Sequence, residues 1–193
     1  MARVSWSLIL ILLMSSVTRS EELTLENTPA PTANTPDEPV AKEYSLANAT
    51  HFLDVASLNW TKSRKCFTCH TNYSYLMARP SIGEAKAHEE VRAALETLVE
   101  KTWPDTGPRW DAEVVMAAAT LAINDANTTG KLHPTTKTAL DRIWTVQKED
   151  GGFRWLTCGW PPFESDDHYG VTIALIGIGM APDGYAKTES AQK

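Results

Sequence analysis

Apolar residues recur at spacings of three and four along most of this chain, and no segment shows sustained alternation of apolar and polar positions. Such spacing is typical of helices that bury one face, whereas alternation would indicate strands. The pattern predicts six helices, at residues 46–60, 68–78, 85–102, 112–123, 135–147 and 167–180. The fold class expected from it is all-α.

Local signals define several of the predicted ends. Asp111 is placed to cap the helix at 112–123, and Pro134 precedes the helix at 135–147 at a position suited to a first turn. The second helix is expected to stop at Pro80, and the last helix at the Ala-Pro-Asp-Gly segment 181–184.

The faces of two helices can also be predicted. The first should bury an apolar face that contains Phe52, Val55, Ala56 and Leu58. The fourth, at 112–123, carries such a run of small and apolar residues that burial on most sides is expected.

The six helices form three similar pairs. In each pair an amphipathic helix precedes a more apolar one, and the first and last pairs end alike, at Ala78-Arg79-Pro80 and Met180-Ala181-Pro182. Self-similarity at a period of several tens of residues predicts stacked αα-hairpins, here about three. The alternative is an ordinary helical bundle.

The N-terminal region has the layout of a secretory signal. Arg3 precedes an apolar run at 8–14, and small or polar residues follow to Ser20, so residues 1–20 are predicted to be a signal peptide and the protein to be secreted or periplasmic. An uncleaved membrane anchor is the alternative. Residues 21–42, with four prolines, are predicted to be a disordered linker, which leaves 43–193 as one folded domain.

The charge balance restricts the partners. The chain has 18 basic and 24 acidic residues, and loss of the signal would remove Arg3 and Arg19, leaving a net charge of −8. So acidic a chain is not expected to bind nucleic acid or an anionic membrane.

The motif Cys66-Phe67-Thr68-Cys69-His70 has the spacing that attaches a c-type haem. Cys66 and Cys69 would form thioethers with the porphyrin, and His70 would be the axial iron ligand. Met116 or Met180, from neighbouring helices, is the expected sixth ligand, with five-coordinate iron as the alternative. Haem c is therefore the predicted cofactor.

Other chemistry remains open for these thiols. Zinc could be bound by Cys66, Cys69, Cys158 and His70, although the second CxxC pair that strengthens a zinc prediction is missing. A disulfide between two of the three cysteines is also possible and would leave one thiol over.

A second polar cluster, Asp166, Asp167 and His168, stands at the start of the last predicted helix. Two adjacent carboxylates in a partly apolar cavity cannot both ionise cheaply, so the pKa of one rises and that acid can protonate a weak base such as an olefin. The alternative is that they cap the helix and favour its positive end.

The segment 147–155, QKEDGGFRW, resembles the QW repeat of terpenoid cyclases, the squalene–hopene cyclase family, and the related loops of protein prenyltransferase β subunits. The CxxCH segment, together with CGWPPFESDDHYG at 158–170, is similar to a group of secreted bacterial squalene-cyclase-like proteins. The resemblance covers about 46–185. It implies an α/α toroid in which such loops join outer to inner helices.

The resemblance also implies a role for the acidic cluster. Class II cyclases use an Asp-x-Asp-Asp motif, for which this chain has Glu164-Ser165-Asp166-Asp167. By this likeness Asp167 would donate the proton, Asp166 would perturb it and His168 would orient it, with an isoprenoid or another apolar molecule as ligand.

Three hairpins are about half of a closed toroid. We therefore expect a partial toroid whose open end, through residues such as Ile173 and Ile176, supports self-association. The function expected first is redox or ligand binding at a covalent haem, with an electron-transfer partner. An isoprenoid cyclase and a non-catalytic helical-repeat scaffold are the alternatives.

Overall fold

The computed structural model describes residues 22–33, 35–64, 67–102, 110–156 and 167–192. Over these ranges the chain is all-α, as predicted, with no strand. The helices are α1 (Leu46–Arg64), α2 (Ser74–Ala78), α3 (Lys86–Thr97), α4 (Trp110–Asn127), α5 (Pro134–Val146) and α6 (Asp167–Met180). Two π-helical turns, Cys69–Tyr73 and Leu98–Thr102, precede α2 and follow α3, and short 3-10 turns occupy Arg79–Ile82, Tyr185–Lys187 and Ser190–Gln192.

Helix α4 is the centre of the core. Its residues are buried almost without interruption from Ala112 to Asp125, as its small apolar sequence predicts. Helices α5 and α6 pack against it, α2 contacts it from another direction, and α1 packs against α3. The grouping of these helices into hairpin repeats stays a prediction.

The carboxyl end of α6 agrees with its sequence signal. The helix occupies Asp167–Met180, and the chain then turns through Asp183 and Gly184, whose φ angles are 57° and 72°. Glycine adopts this left-handed conformation without steric cost. The Asp183 carboxylate accepts a hydrogen bond from the Leu132 amide at 2.9 Å, which ties this turn to the loop between α4 and α5.

Other predicted ends are confirmed or moved. Pro134 stands at the first turn of α5, as expected. Asp111 does not cap α4, because the helix already begins at Trp110; its Oδ2 instead accepts a hydrogen bond from the Arg154 amide at 2.9 Å. Helix α2 ends at Ala78, and Pro80 lies within the 3-10 turn that follows.

The buried face of α1 differs from the predicted one. Phe52 is 69% exposed, so its assignment to an inward face is wrong. The buried residues of α1 are Asp54, Ser57 and Leu58. The helix turns a largely polar face inward because Asp54 has buried hydrogen-bond partners in Arg79 and Tyr75, which remove the cost of burying the carboxylate.

Part of the predicted linker is attached to the folded body. Leu23 and Leu25 pack against the core, and Thr28 is buried. The Leu25 amide donates to Glu90 Oε2 at 2.5 Å, and Asn59 Nδ2 donates to the Pro29 carbonyl at 2.6 Å. The prediction of a disordered linker across 21–42 therefore differs from the structure at 22–29. No helix within the described residues has the length and apolar content needed to cross a membrane.

Candidate functional site

The structure describes the CxxCH motif in part. Cys66 lies outside the described residues, and of Cys69, which begins the π-helical turn, only the backbone is described. His70 follows in the same turn with an exposed side chain. Cys158, the third thiol of the zinc alternative, also lies outside the described ranges.

The two nitrogens of the His70 imidazole have different surroundings. Its Nδ1 is 3.1 Å from Thr71 Oγ1, and its ring meets Trp60 edge to face, with centroids 5.6 Å apart. The guanidinium of Arg64 lies over the Trp60 ring, with its Cζ 5.4 Å from the ring centroid. Nε2 of His70 has no hydrogen-bond partner in the part of the chain that the structure describes, so it is available as a metal ligand.

Two of the buried donors near His70 have no hydrogen-bond partner among the described residues. They are the indole nitrogen of Trp60, whose ring contacts His70, and the hydroxyl of Thr68 within the motif itself. Unsatisfied buried donors are uncommon and call for an explanation. A haem carries two carboxylates that accept hydrogen bonds, so these donors and the open Nε2 are compatible with a haem at this position.

The two methionines considered as sixth iron ligands lie in different environments. Met116 is 2% exposed on α4, and α4 contacts the π-helical turn that carries His70. Met180 is 40% exposed at the last residue of α6. The assignment of either methionine as the sixth ligand stays a prediction.

The acidic cluster lies at the edge of the described region. Asp166 is outside it, and of Asp167 the structure describes the backbone, which begins α6. The side chain of His168 is exposed in the first turn, and its carbonyl accepts a hydrogen bond from Thr172 Oγ1 at 2.8 Å. The proposed proton-donor arrangement therefore stays a prediction.

A cleft of about 490 Å³ lies between the start of α3, the end of α4 and the loop that leads to α5. No sequence pattern predicted this cleft. It is lined by Pro80, Gly83, Glu84, Ala85, His88, Glu89, Arg92, Asn124, Asn127, Thr128, Thr129 and His133.

Two histidines line this cleft, His88 and His133. His88 is only 8% exposed. His133 stands in a loop, as the residue before α5, and its side chain is half-buried against Asp125. Both imidazoles belong to one buried hydrogen-bond network.

Asp125 is the acceptor at one end of that network. Its fully buried carboxylate pairs with Arg92 through Oδ1 at 2.6 Å and with His133 Nδ1 at 2.7 Å. Its Oδ2 accepts from the His133 amide at 2.9 Å. A buried carboxylate with three donors is fully compensated, and it fixes the position of the His133 ring.

Asn124 connects the other residues of this network. Its Nδ2 donates to the Leu76 carbonyl and to His88 Nε2, both at 2.7 Å, and its Oδ1 accepts from Arg92 Nη1 at 2.5 Å. The Leu76 contact also shows that the carboxyl ends of α2 and α4 meet at this cleft. All hydrogen-bonding atoms of the Asn124 amide are therefore occupied.

These partners determine the imidazole tautomers. Because Asn124 donates to Nε2 of His88, the neutral ring carries its proton on Nδ1. Nδ1 of His133 is 2.7 Å from Asp125 Oδ1 and a longer 3.3 Å from Arg92 Nη2, so the shorter contact decides: the neutral ring donates to Asp125 through Nδ1 and keeps its lone pair on Nε2. Burial lowers the pKa of His88, and the positive charges of Arg92 and Arg79 lower it further, so the neutral form is favoured.

A second buried network adjoins the first. Asp54 accepts from Tyr75 at 2.6 Å and from Arg79 at 2.8 Å, and the Tyr75 ring lies 6.4 Å from that of His88. Burial raises the pKa of Tyr75, and the neighbouring Asp54 carboxylate adds to the increase. The hydrogen bond to Asp54 raises the pKa of Arg79, so the guanidinium stays charged at any physiological pH.

Neither network was predicted from the sequence. A signal was present in the sequence: Asn124 and Asp125 continue a helix that is otherwise small and apolar, at positions that the apolar stripe would bury. Buried polar groups need partners, so this Asn-Asp pair indicates donors elsewhere in the chain.

Comparison with known proteins yields no relative. No protein-family model, curated protein or solved structure matches this chain.

Proposed function

We propose that this protein is a secreted helical protein that carries a covalent c-type haem and acts in electron transfer or in ligand binding at the iron. One observation carries the proposal: His70, directly after the two-cysteine spacing, presents an exposed imidazole whose Nδ1 is engaged and whose Nε2 is open. This is the arrangement that an axial histidine needs.

Each residue of the motif has a distinct part in this proposal. Cys66 and Cys69 hold the porphyrin covalently, and His70 binds the iron through Nε2. Thr71 engages Nδ1 and thereby sets the orientation of the ring, while the face of Trp60 restricts its rotation. The cofactor supplies one-electron chemistry, and the buried donors of Trp60 and Thr68 are suited to its carboxylates.

The fold proposed for the protein is a partial terpenoid-cyclase-like α/α toroid. In it α1, α3 and α5 form the outer layer and α2, α4 and α6 the inner one. The contacts of α4 with α2, α5 and α6, and of α1 with α3, are compatible with this arrangement. The exposed face of α6 would be the open end of this partial toroid.

The haem proposal is tested by making the processed chain together with haem-attachment machinery. We expect an intact mass higher than the bare chain by one haem, and a haem stain that survives denaturation. Cys66→Ala and Cys69→Ala should each abolish stable attachment, whereas Cys158→Ala should retain it. His70→Ala should alter the axial ligation, and so the visible spectrum, of any haem still attached. Wild-type protein with the mass of the bare chain and no stain would contradict the proposal.

The sixth ligand requires a separate comparison. We expect Met116→Leu to remove the spectral signature of sulfur–iron ligation and Met180→Leu to leave it, because Met116 is buried on the helix that contacts the His70 turn. If neither variant changes the ferric and ferrous spectra, the iron is five-coordinate or has another ligand.

The cyclase and scaffold alternatives stay predictions. The cyclase alternative depends on Asp166 and on the carboxylate of Asp167, neither of which is described. It predicts turnover of a polyisoprenoid that is lost in Asp167→Asn. The scaffold alternative predicts neither turnover nor a haem spectrum.

A further inference from the structure

The cleft between α3 and α4 presents two imidazoles with opposite hydrogen-bonding characters. His88 and His133 both line it, and in their neutral forms the first ring carries an N–H donor at Nδ1 and the second a lone pair at Nε2. Neither of these two atoms has a hydrogen-bond partner among the residues that the structure describes. Their tautomers are fixed by Asn124 and Asp125, both completely buried, so the site is organised before any ligand arrives.

The charges around the cleft disfavour an anion. The Arg92 guanidinium already pairs with Asp125 at 2.6 Å and with Glu96 at 3.0 Å. Lys86 pairs with Glu89, and Glu84 adds a further carboxylate to the wall. Among the described residues that line the cleft, each Lys or Arg side chain is therefore already paired with a carboxylate, and none is left to attract an anionic ligand. A compact cation would in turn meet the N–H of His88, which repels it.

We infer that this cleft binds a neutral hydroxylated ligand, a polyol or a saccharide. A hydroxyl group can accept from His88 Nδ1 and donate to His133 Nε2, so adjacent hydroxyls on one molecule satisfy both imidazoles. Asn127, Thr128 and Thr129 add polar side chains to the wall. The volume of about 490 Å³ falls within the range of about 300–1,000 Å³ that is usual for small-molecule sites.

This inference is independent of the haem, because no residue of the cleft belongs to the CxxCH motif. It is tested on the processed chain by saturation-transfer NMR, which detects weak ligands. The probes are glucose, its anionic analogue glucuronate and its cationic analogue glucosamine. Saturable transfer to glucose that exceeds transfer to the two charged analogues is the expected result. Absence of transfer to glucose, or stronger transfer to either charged analogue, would overturn the inference.

Two isosteric variants connect binding to the imidazoles. His133→Asn keeps a donor near Asp125 but removes the Nε2 acceptor, and His88→Gln keeps an acceptor for Asn124 but removes the Nδ1 donor. Each should weaken glucose binding by about three- to tenfold, the effect of one hydrogen bond. The control is His51→Asn, at an exposed position of α1. If glucose binds both variants as tightly as wild type, binding occurs elsewhere and the inference fails, whereas thermal melts of the variants report any loss of fold separately.

Discussion

Gly177 of α6 lies directly against the backbone of Ala119 in α4. A Cβ at position 177 would stand 2.5 Å from the Ala119 Cα and 2.7 Å from its Cβ. Non-bonded carbons prefer separations of about 3.5–4.0 Å. Since the nearest obstacle is backbone, no change of rotamer can relieve the overlap. The close packing of these two helices therefore requires glycine at this position.

We predict that Gly177→Ala lowers the free energy of unfolding by about 1–3 kcal/mol, because α6 must move away from α4. Gly179→Ala is the matched control: it lies two residues further along the same helix, and a Cβ there would meet nothing within 4 Å. That variant should gain up to about 1 kcal/mol from helix propensity. Urea denaturation followed by circular dichroism measures both. Equal free energies of unfolding for the two variants would show that α6 moves away from α4 without an energetic cost.

The buried pair of Asp54 and Arg79 gives a second prediction. Their side chains are almost inaccessible, and Asp54→Ala would leave the guanidinium buried without its carboxylate. We expect a loss of about 3–5 kcal/mol in unfolding free energy. Glu89→Ala removes the partner of Lys86 in an exposed pair and should have no measurable effect. A small loss for Asp54→Ala would mean that Arg79 finds another acceptor.

The third prediction concerns the effect of pH on His88. Its pKa in the folded protein is lowered, mainly by burial, so the unfolded chain binds a proton at a higher pH than the folded one. The stability that neutral His88 provides is thus complete above about pH 6.5 and is lost as the pH falls from there through the lower folded pKa. Wild type should lose more stability between pH 8 and pH 5 than His88→Gln, which does not titrate. Parallel pH profiles from denaturant titrations would contradict this.

The outer face of α6 gives a fourth prediction. Leu175 is 65% and Ile176 44% exposed, whereas Ile173, also expected on this face, is half-buried against the core. Contiguous exposed apolar side chains favour association. We expect concentration-dependent oligomers in light scattering, reduced by Leu175→Gln with Ile176→Gln. Phe52→Gln, at an exposed position of α1, is the control. A stable monomer of wild type at high concentration would refute the open-end proposal.

Features that depend only on neighbouring residues could be predicted from the sequence. The end of α6 at Met180 agrees with the prediction, because the Ala-Pro-Asp-Gly segment that follows it acts locally through its backbone preferences. The position of Pro134 at the start of α5 is of the same kind.

Features that depend on distant partners were not predictable in this way. The inward face of α1 depends on Asp54, whose partner Arg79 lies 25 residues further along the chain. A count of apolar positions instead selected Phe52, which is exposed. His88 is buried because Asn124, 36 residues away, satisfies its Nε2. Only the folded structure shows which polar residues have hydrogen-bond partners and can therefore be buried away from water.

The loop between α4 and α5 contains two consecutive amides with different attachments. Leu132 N–H is bound to Asp183 in the turn after α6, and His133 N–H to Asp125 at the end of α4, each at 2.9 Å. Detachment of the turn after α6 exposes the first amide to solvent and leaves the second protected, whereas opening of the loop exposes both. In heavy water, the amide hydrogens of these two neighbouring residues would therefore exchange at rates set by different motions. The difference between the two rates would report how often the turn after α6 detaches while the loop stays closed.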